Sequence, residues 1–450
     1  MPHVAVVGAG PSGVFAAARL LQRPDVLVDV FDRLPTPFGL VRYGVAPDHL
    51  KIKSVTAALS KVLGDPRIRF HGNVEYGTDL HADELSGFYD AVVFATGAPL
   101  ARRLGVPGED LPGNHAAADF VSWYNGHPDG GRAFDARAEA VAVVGAGNVS
   151  LDVARVLLKG GSGLSATDAP DEVLAALDRD RVTEVHVVVR RGVADAKFTP
   201  AELLELEKLD DLDIVVEGAA SGTGDRRDPD ADHADHAGHE DHAAVQRAGI
   251  FRRWAEHDRS GAGRRLFFRF LRSPVAIDGR GRVESVRLRS NTLGPGGRLD
   301  GLRETEELPV QAVIRSIGYF GRPLPGLPFD AERGVVPNIR GRVAPGVYVT
   351  GWIKRGPSGI IGSNKACAIE TVEQLLADLD ESPSPTAFSP HDAVPALLRR
   401  RGCRVVDWSG WAEIDAAEIT LGRRKARART KIADRGLLVE IGAGIPARAR

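Results

Sequence analysis

Apolar and polar positions along the chain fall into short apolar runs separated by longer amphipathic stretches, and two of the apolar runs are the same. Residues 4–10 read Val-Ala-Val-Val-Gly-Ala-Gly, and residues 141–147 repeat the phrase. A short unbroken apolar run of this kind suits a strand buried on both faces, and the glycines after it suit a turn into a helix. The pattern predicts helices over 12–22 and from 148 to about 159, and a strand over 26–31 ending at Asp32. Further buried strands are expected over 90–98, 185–191, 310–318 and 347–352, with a half-exposed, alternating strand over 282–290. Strands that alternate with helices predict an α/β chain built on parallel sheets.

The glycines carry the first chemistry. A strand, a Gly-x-Gly turn and a helix N-terminus together cradle a pyrophosphate, because the backbone approaches closely and the helix end offers N–H groups and positive potential. In the first unit Gly8, Gly10 and Gly13 are followed, about 22 residues after Gly10, by Asp32, placed to bind ribose hydroxyls. In the second unit Gly145, Gly147 and Asn148 form the turn, Val149 follows, and Ser150 stands where a third glycine belongs. The strand after it ends in Arg190 and Arg191 rather than an acid. An acid would repel a 2′-phosphate, whereas guanidinium forks grip one, so this unit reads as an NADP site rather than an NAD site. Two Rossmann-like nucleotide-binding units in one chain imply electron transfer between two dinucleotides.

Other segments add detail. Residues 35–49 form a Gly/Pro-studded loop that leads into a helix with Asp48 as the expected cap. Thr96-Gly97 ends a strand in a way that lets the chain cross over a nucleotide, and Gly351 with the Gly359-Ile360-Ile361 turn suggests another such contact. Thr199-Pro-Ala-Glu202 has the spacing of a capping box, with Glu202 reaching back to the helix start. Arg247, Arg252 and Arg253 fall on one predicted helix, with Arg264, Arg265, Arg269 and Arg272 close behind, a density that suits docking of an acidic partner. Residues 218–243, including His233, His236, His239 and His242, read as a flexible polar insertion rather than a metal site. Residues 382–390 read as a Pro/Ser linker, and 423–431 as a basic, helix-prone stretch.

Composition removes several classes. Across 450 residues the net charge is −2, which points to neither nucleic acid nor an anionic membrane. No apolar run approaches the roughly 18 residues of a membrane helix. The first strand starts at Val4, leaving no room for a leader ahead of it, so a cytoplasmic location is expected. The only cysteines, Cys367 and Cys403, form no Cys-x-x-Cys, so neither a redox dithiol nor a cluster cage is at hand and electrons must leave to an external acceptor.

Several longer segments are more specific than any glycine turn: Pro37-Phe-Gly-Leu-Val-Arg-Tyr-Gly-Val-Ala-Pro-Asp-His49, Phe120-Val-Ser-Trp-Tyr-Asn-Gly126, Gly147-Asn-Val-Ser-Leu-Asp-Val-Ala-Arg155, Val189-Arg-Arg-Gly192 and Gly351-Trp-Ile-Lys-Arg-Gly-Pro-Ser-Gly359. In these, taken in order over nearly the whole chain, the sequence resembles ferredoxin–NADP reductases of the adrenodoxin-reductase type, bacterial branch. The resemblance implies FAD in the first unit, NADPH in the second, and a ferredoxin-like iron–sulfur protein as acceptor. It implies an FAD domain in two parts, 1–105 and 319–450, around an inserted NADP domain, 106–318. Ser12, Asp32, Gly39, Leu40 and the segment Val74–Tyr76 would contact FAD, with Trp352 and Gly359–Ile361 beside the flavin and the nicotinamide. Gly147–Ser150, Arg190, Arg191, Glu202 and Gly359 would hold NADP, Glu202 accepting from the carboxamide. The same likeness pairs His49 with Glu205, a carboxylate that would raise the histidine's pKa. Asp32 in place of a glutamate and the charged Val193–Lys197 stretch depart from the family pattern. The rival readings are an NADPH-oxidising subunit like the small subunit of glutamate synthase, disfavoured by the missing cluster cysteines, and a non-catalytic flavin-binding redox sensor.

Overall fold

The computed structural model describes residues 1–130, 134, 138–179, 182–218, 234–257, 261–381 and 392–444, without the side chains of 234–241. Two six-stranded sheets organise them. The first has the order β16-β17-β4-β1-β2-β3 and draws on both ends of the chain: β1 (His3–Val7), β2 (Leu27–Asp32), β3 (Ile68–Gly72) and β4 (Ala91–Phe94) come from one end, β16 (Arg342–Ala344) and β17 (Val347–Val349) from the other. The chain leaves and returns through the antiparallel pair β5 (Leu100–Ala101) and β15 (Tyr319–Phe320). Between them lies the second sheet, β6-β14-β7-β8-β10-β9, with β6 (Asn114–Ala116), β7 (Ala140–Val144), β8 (Glu184–Val189), β9 (Leu212–Glu217), β10 (Arg264–Phe270) and β14 (Ala312–Arg315), all parallel. A small antiparallel sheet, β11 (Arg272–Asp278), β12 (Ser285–Leu293) and β13 (Leu299–Pro309), packs Ile277, Val286 and Leu288 against Val144 and Val188 of the second sheet.

The repeated apolar phrase explains the two centres. β1 lies between β4 and β2, and β7 between β14 and β8, and the valines of both are buried on each face. Each strand runs directly into a helix, Pro11–Leu20 after β1 and Asn148–Gly163 after β7, so both glycine turns sit at the carboxyl ends of parallel strands. At the first turn Gly8 has φ +114°, and a Cβ on Gly13 would stand 1.8 Å from the Gly8 carbonyl oxygen, so helix and turn approach as only glycine permits.

Two expected segments differ. The part of the expected polar insertion from Ala234 on is helical: Ala234–Glu256 is one helix, whose later turns are anchored by Ile250, Phe251 and Trp254 in the core. Residue 233 and the rest of the expected insertion before it, from 219, lie outside the described residues. Beyond Arg423 the stretch to 431 is not helical: Lys431 is buried and draws the chain inward between the helices Trp408–Arg423 and Arg435–Gly442. Its ammonium donates to the Arg42 carbonyl at 2.9 Å and to Asn125 Oδ1 at 2.9 Å, and it lies 3.3 Å from Asp168. The expected linker 382–390 lies outside the described residues.

Candidate active site

The first cradle opens at Gly10. A Cβ there would meet nothing nearer than the Gly39 Cα at 3.9 Å, and one at Gly97 would meet nothing within 4 Å, so these backbones border free space of the kind a pyrophosphate needs. Gly39 backs onto Gly10, its own Cβ position being 3.0 Å from the Gly10 Cα. Asp32 is fixed at the end of β2 by accepting from the Ala9 N–H at 2.8 Å and the Leu34 N–H at 2.9 Å, while burial pushes its pKa up. Ser12 fits where Gly351 has no side chain, since a Cβ on Gly351 would lie 2.2 Å from its Oγ. Leu40 and Ile360 are 40% and 76% exposed, which leaves both apolar side chains open to an aromatic ligand. Val74 belongs to the core, and Tyr76 gives its hydroxyl to the Pro325 carbonyl at 2.6 Å and its ring edge to Phe94. Thr96 follows β4, and Trp352 donates through Nε1 to the Ser358 carbonyl at 3.2 Å, just before Gly359, Ile360 and Ile361 open the helix Ile361–Glu381. The residues therefore fit FAD.

The second cradle opens at Gly147, where a Cβ would also meet nothing within 4 Å. Gly145 has no such freedom: a Cβ there would lie 2.2 Å from the Ser316 carbonyl oxygen and 2.8 Å from Ser150 Oγ. Ser150 thus takes the third glycine's place with its hydroxyl buried and without a partner. Asn148 accepts from the Thr199 N–H at 2.9 Å and donates to Thr199 Oγ1 at 3.2 Å, which ties the turn, with Val149 next in line, to the helix Pro200–Leu206. At the end of β8, Arg190 is exposed, and Arg191 Nη1 donates to the Gly297 carbonyl at 2.8 Å. An open cradle with two arginines at the neighbouring strand end fits NADP.

Between the cradles lies a polar cluster, and here the structure corrects three expectations. Asp48 caps no helix. Its carboxylate accepts from Arg155 at 2.9 and 3.1 Å and from Lys159 at 2.8 Å, and these guanidinium and ammonium groups hold it well below the usual carboxylate range. The helix Leu50–Lys53 starts at His49 without a side-chain cap. Glu205 does not meet His49, because it faces Lys208 at 2.5 Å; the partners of His49 are Asp152 Oδ1 at 3.0 Å and Glu202 Oε2 at 3.1 Å, both on Nε2. The capping box is half-formed. Thr199 Oγ1 accepts from the Glu202 N–H at 3.4 Å, but the Thr199 N–H is taken by Asn148, which frees the Glu202 carboxylate for the cluster.

Asp152 and Glu202 raise His49 to about 9, Asp152 having the larger effect, against burial and the nearby Arg155 charge. Arg155 is 1% exposed and bridges Asp48 and Asp152, which raises its pKa further. Glu202 Oε2 and Arg155 Nη1 lie 3.5 Å apart, yet both are buried without an aligned hydrogen bond, so Glu202 retains acceptor capacity toward a ligand. Ligand atoms of His49, Asp152 and Glu202 are within 4.8 Å of one another, a spacing that would suit a metal. Arg155 Nη2, 2.6 Å from both Asp152 Oδ1 and His49 Nε2, already supplies the cation there.

Among the arginines expected to dock a partner, Arg252 and Arg253 are exposed on the helix Ala234–Glu256, Arg253 lying 3.4 Å from Glu207. Arg247 is corrected to a structural residue. It is buried and donates to the carbonyls of Val193, Ala194 and Phe198, and so pins the loop before Thr199. Arg265, Arg269 and Arg272 are neutralised by Glu184, Glu217 and Glu306, and Arg264 donates to the Leu158 carbonyl. Asp152 and Arg155 are members of the cluster that sequence reasoning passed over. Two opposite charges, three apart within the apolar run Leu151–Leu158 after a glycine turn, were the available signal.

Comparison with known proteins places this geometry. The family model for pyridine nucleotide-disulphide oxidoreductases matches residues 2–194. The chain is 43% identical to NADPH-ferredoxin reductase FprA of Mycobacterium tuberculosis, over 98% of this chain and 99% of that protein. It is 37% identical to mitochondrial NADPH:adrenodoxin oxidoreductase of Arabidopsis thaliana, over 96% of this chain and 93% of that one. A solved structure of Mycobacterium tuberculosis FprA in complex with NADPH superposes with a TM-score of 0.90 at 43% identity, covering 98% of this chain and 99% of the other.

Proposed function

Because the chain belongs to the adrenodoxin-reductase type of NADPH–ferredoxin reductases, we propose that it passes electrons from NADPH through FAD to a small acidic iron–sulfur protein of the ferredoxin type. The observation that carries this reading is the pair of open glycine cradles, at Gly10 and Gly147, on two sheets of one chain. Bound FAD would supply the conversion between two-electron and one-electron transfer.

The chain's own residues place and shield. Asp32 holds a ribose hydroxyl at the end of β2, and Arg190 and Arg191 grip the 2′-phosphate at the end of β8. Glu202 accepts from the nicotinamide carboxamide, and His49, kept charged by Asp152, steadies that carboxylate. Trp352 and Ile360 would lie beside the flavin and the nicotinamide and shield them. Both cysteines are free, Cys367 buried and Cys403 half-buried, and no cysteine pair lies among the described residues to take electrons onward. Arg252 and Arg253 form the landing site for the acidic partner. The FAD-binding part comprises 1–105 and 319–450, and the NADP-binding part 106–318. No helix among the described residues is long and apolar enough to cross a membrane.

Stopped-flow mixing of the yellow, FAD-loaded protein with NADPH tests the reading. Flavin absorbance should bleach, then return when an oxidised ferredoxin is added. Absence of bleaching would leave only a redox sensor. Bleaching without reoxidation by ferredoxin would remove the proposed acceptor.

A further inference from the structure

The strand end that carries Arg190 and Arg191 is suspended from the three-stranded sheet. Leu271, the single residue between β10 and β11, is left-handed at φ +54°, a conformation that residues with side chains rarely adopt. Its N–H reaches the Arg191 carbonyl at 3.3 Å. Along β12, burial alternates through Val286 and Leu288, so Ser290 should face inward next. A bulge between Arg289 and Asn291 shifts the register against β13, and Asn291 turns inward instead, to 5% exposure. There the Asn291 N–H donates to the Leu271 carbonyl at 2.9 Å, and its amide Nδ2 donates to the Arg190 carbonyl at 3.0 Å and to Ser273 Oγ at 2.8 Å. The next turn, between β12 and β13, offers the Gly297 carbonyl that receives the Arg191 guanidinium.

We propose that Asn291 is a positioning residue for coenzyme choice: by fixing the Arg190 carbonyl it sets the strand end from which both arginines reach a 2′-phosphate, and so favours NADPH over NADH. The inference rests on the assignment of Arg190 and Arg191 to that phosphate. A bidentate grip needs its donors held to a fraction of an ångström, and a backbone free to shift would have to be ordered when the coenzyme binds. NADH makes no demand on the arginines and is indifferent to that ordering. A bulge that replaces an inward serine with an inward asparagine, aimed at this one carbonyl, makes the anchoring specific.

The test compares Asn291→Leu, which keeps the branched side-chain skeleton and removes the donor, with the parent and with Arg190→Gln/Arg191→Gln, all as FAD-loaded protein. With ferricyanide as acceptor, Asn291→Leu should raise the KM for NADPH by about fivefold, the scale of one lost hydrogen bond. It should leave kcat and the NADH constants within twofold. Binding of 2′,5′-ADP should weaken in parallel and that of 5′-AMP should not. Equal losses for both coenzymes, or no change in the NADPH constant, overturns the proposal. If the leucine variant does not fold, Asn291→Ala, which sets no apolar branch against the carbonyl, decides by the same ratio. Should the double arginine variant itself leave the NADPH-to-NADH ratio unchanged, the phosphate assignment has failed, and the role of Asn291 fails with it.

Discussion

The charge on His49 is the most direct test of the cluster between the cradles. With Asp152 Oδ1 at 3.0 Å and Glu202 Oε2 at 3.1 Å, the imidazole is raised from 6.5 to about 9. At about 1.4 kcal/mol per pH unit, that rise corresponds to roughly 3 kcal/mol in favour of the charged ring. Because the folded value lies above the unfolded one, the contribution is complete below pH 6.5. It falls by about 1.4 kcal/mol for each pH unit between 6.5 and 9, where the folded chain keeps a proton that the unfolded chain has lost, and it is gone above 9. Asp152→Asn removes the carboxylate with the larger effect and leaves the Arg155 charge beside the ring, so the titration should move down by about one to three pH units. Proton–carbon NMR of ring-labelled histidine in the FAD-loaded protein reads this directly; with 13 histidines in the chain, His49→Gln supplies the assignment. A parent titration at or below 6.5 would refute the reasoning. It would mean that Nε2 accepts from Arg155 Nη2, which stands 2.6 Å away, rather than donating to Asp152 Oδ1.

Three further outcomes follow from distances already given. Gly10→Val should leave a folded but colourless protein, since its side chain meets open space until a pyrophosphate arrives, whereas Gly13→Ala should lower the melting temperature, because its Cβ falls 1.8 Å from the Gly8 oxygen; flavin absorbance and thermal unfolding separate the two. Neutralising Arg190 and Arg191 should raise the KM for NADPH at least about tenfold and barely move that for NADH, from roughly 1.5–3 kcal/mol per charge-assisted contact, and equal losses for both coenzymes would make the arginines structural. Charge reversal at Arg252 and Arg253 should slow cytochrome reduction through ferredoxin, most at low salt, and spare direct ferricyanide reduction; equal loss in both assays would remove the docking claim.

The glycine turns and their strands were legible because backbone geometry leaves them little choice of residue, and the repeated phrase at 4–10 and 141–147 does lie at the centre of each sheet. Side-chain partners were legible only where sequence neighbours decide them. Asp48 beside a helix start looks like a cap, but a buried arginine from another element binds a carboxylate more strongly than a helix N-terminus does. One turn of helix separates Glu202 from Glu205, and only the packing of the helix Pro200–Leu206 shows which faces His49. Arg247 shares a helix with Arg252 and Arg253, yet it lies on the face that meets the loop 193–198, which helical spacing alone does not reveal. The basic stretch 423–431 gives no sign that Lys431 is buried, because its partners, Arg42, Asn125 and Asp168, lie hundreds of residues away.

The order of strands in the first sheet also sets a timetable for making the protein. β1 to β4 are complete once residue 94 has emerged, but β4 lacks β17, and therefore one neighbour, until residue 349. At about 5–20 residues per second, translation leaves that edge open for roughly 13–51 s. The second sheet closes earlier, with β14 at 312–315, from residues contiguous in the chain. During synthesis the nascent half-sheet exposes a row of unpaired backbone groups on β4 beside an uncovered valine face, the state most prone to pairing with a neighbouring chain. With Gly351 and Ile360 in the flavin site as proposed, a flavin that bound before residue 349 would meet an incomplete cradle, so ribosome-bound chains halted before that point are expected to be colourless and dependent on chaperones.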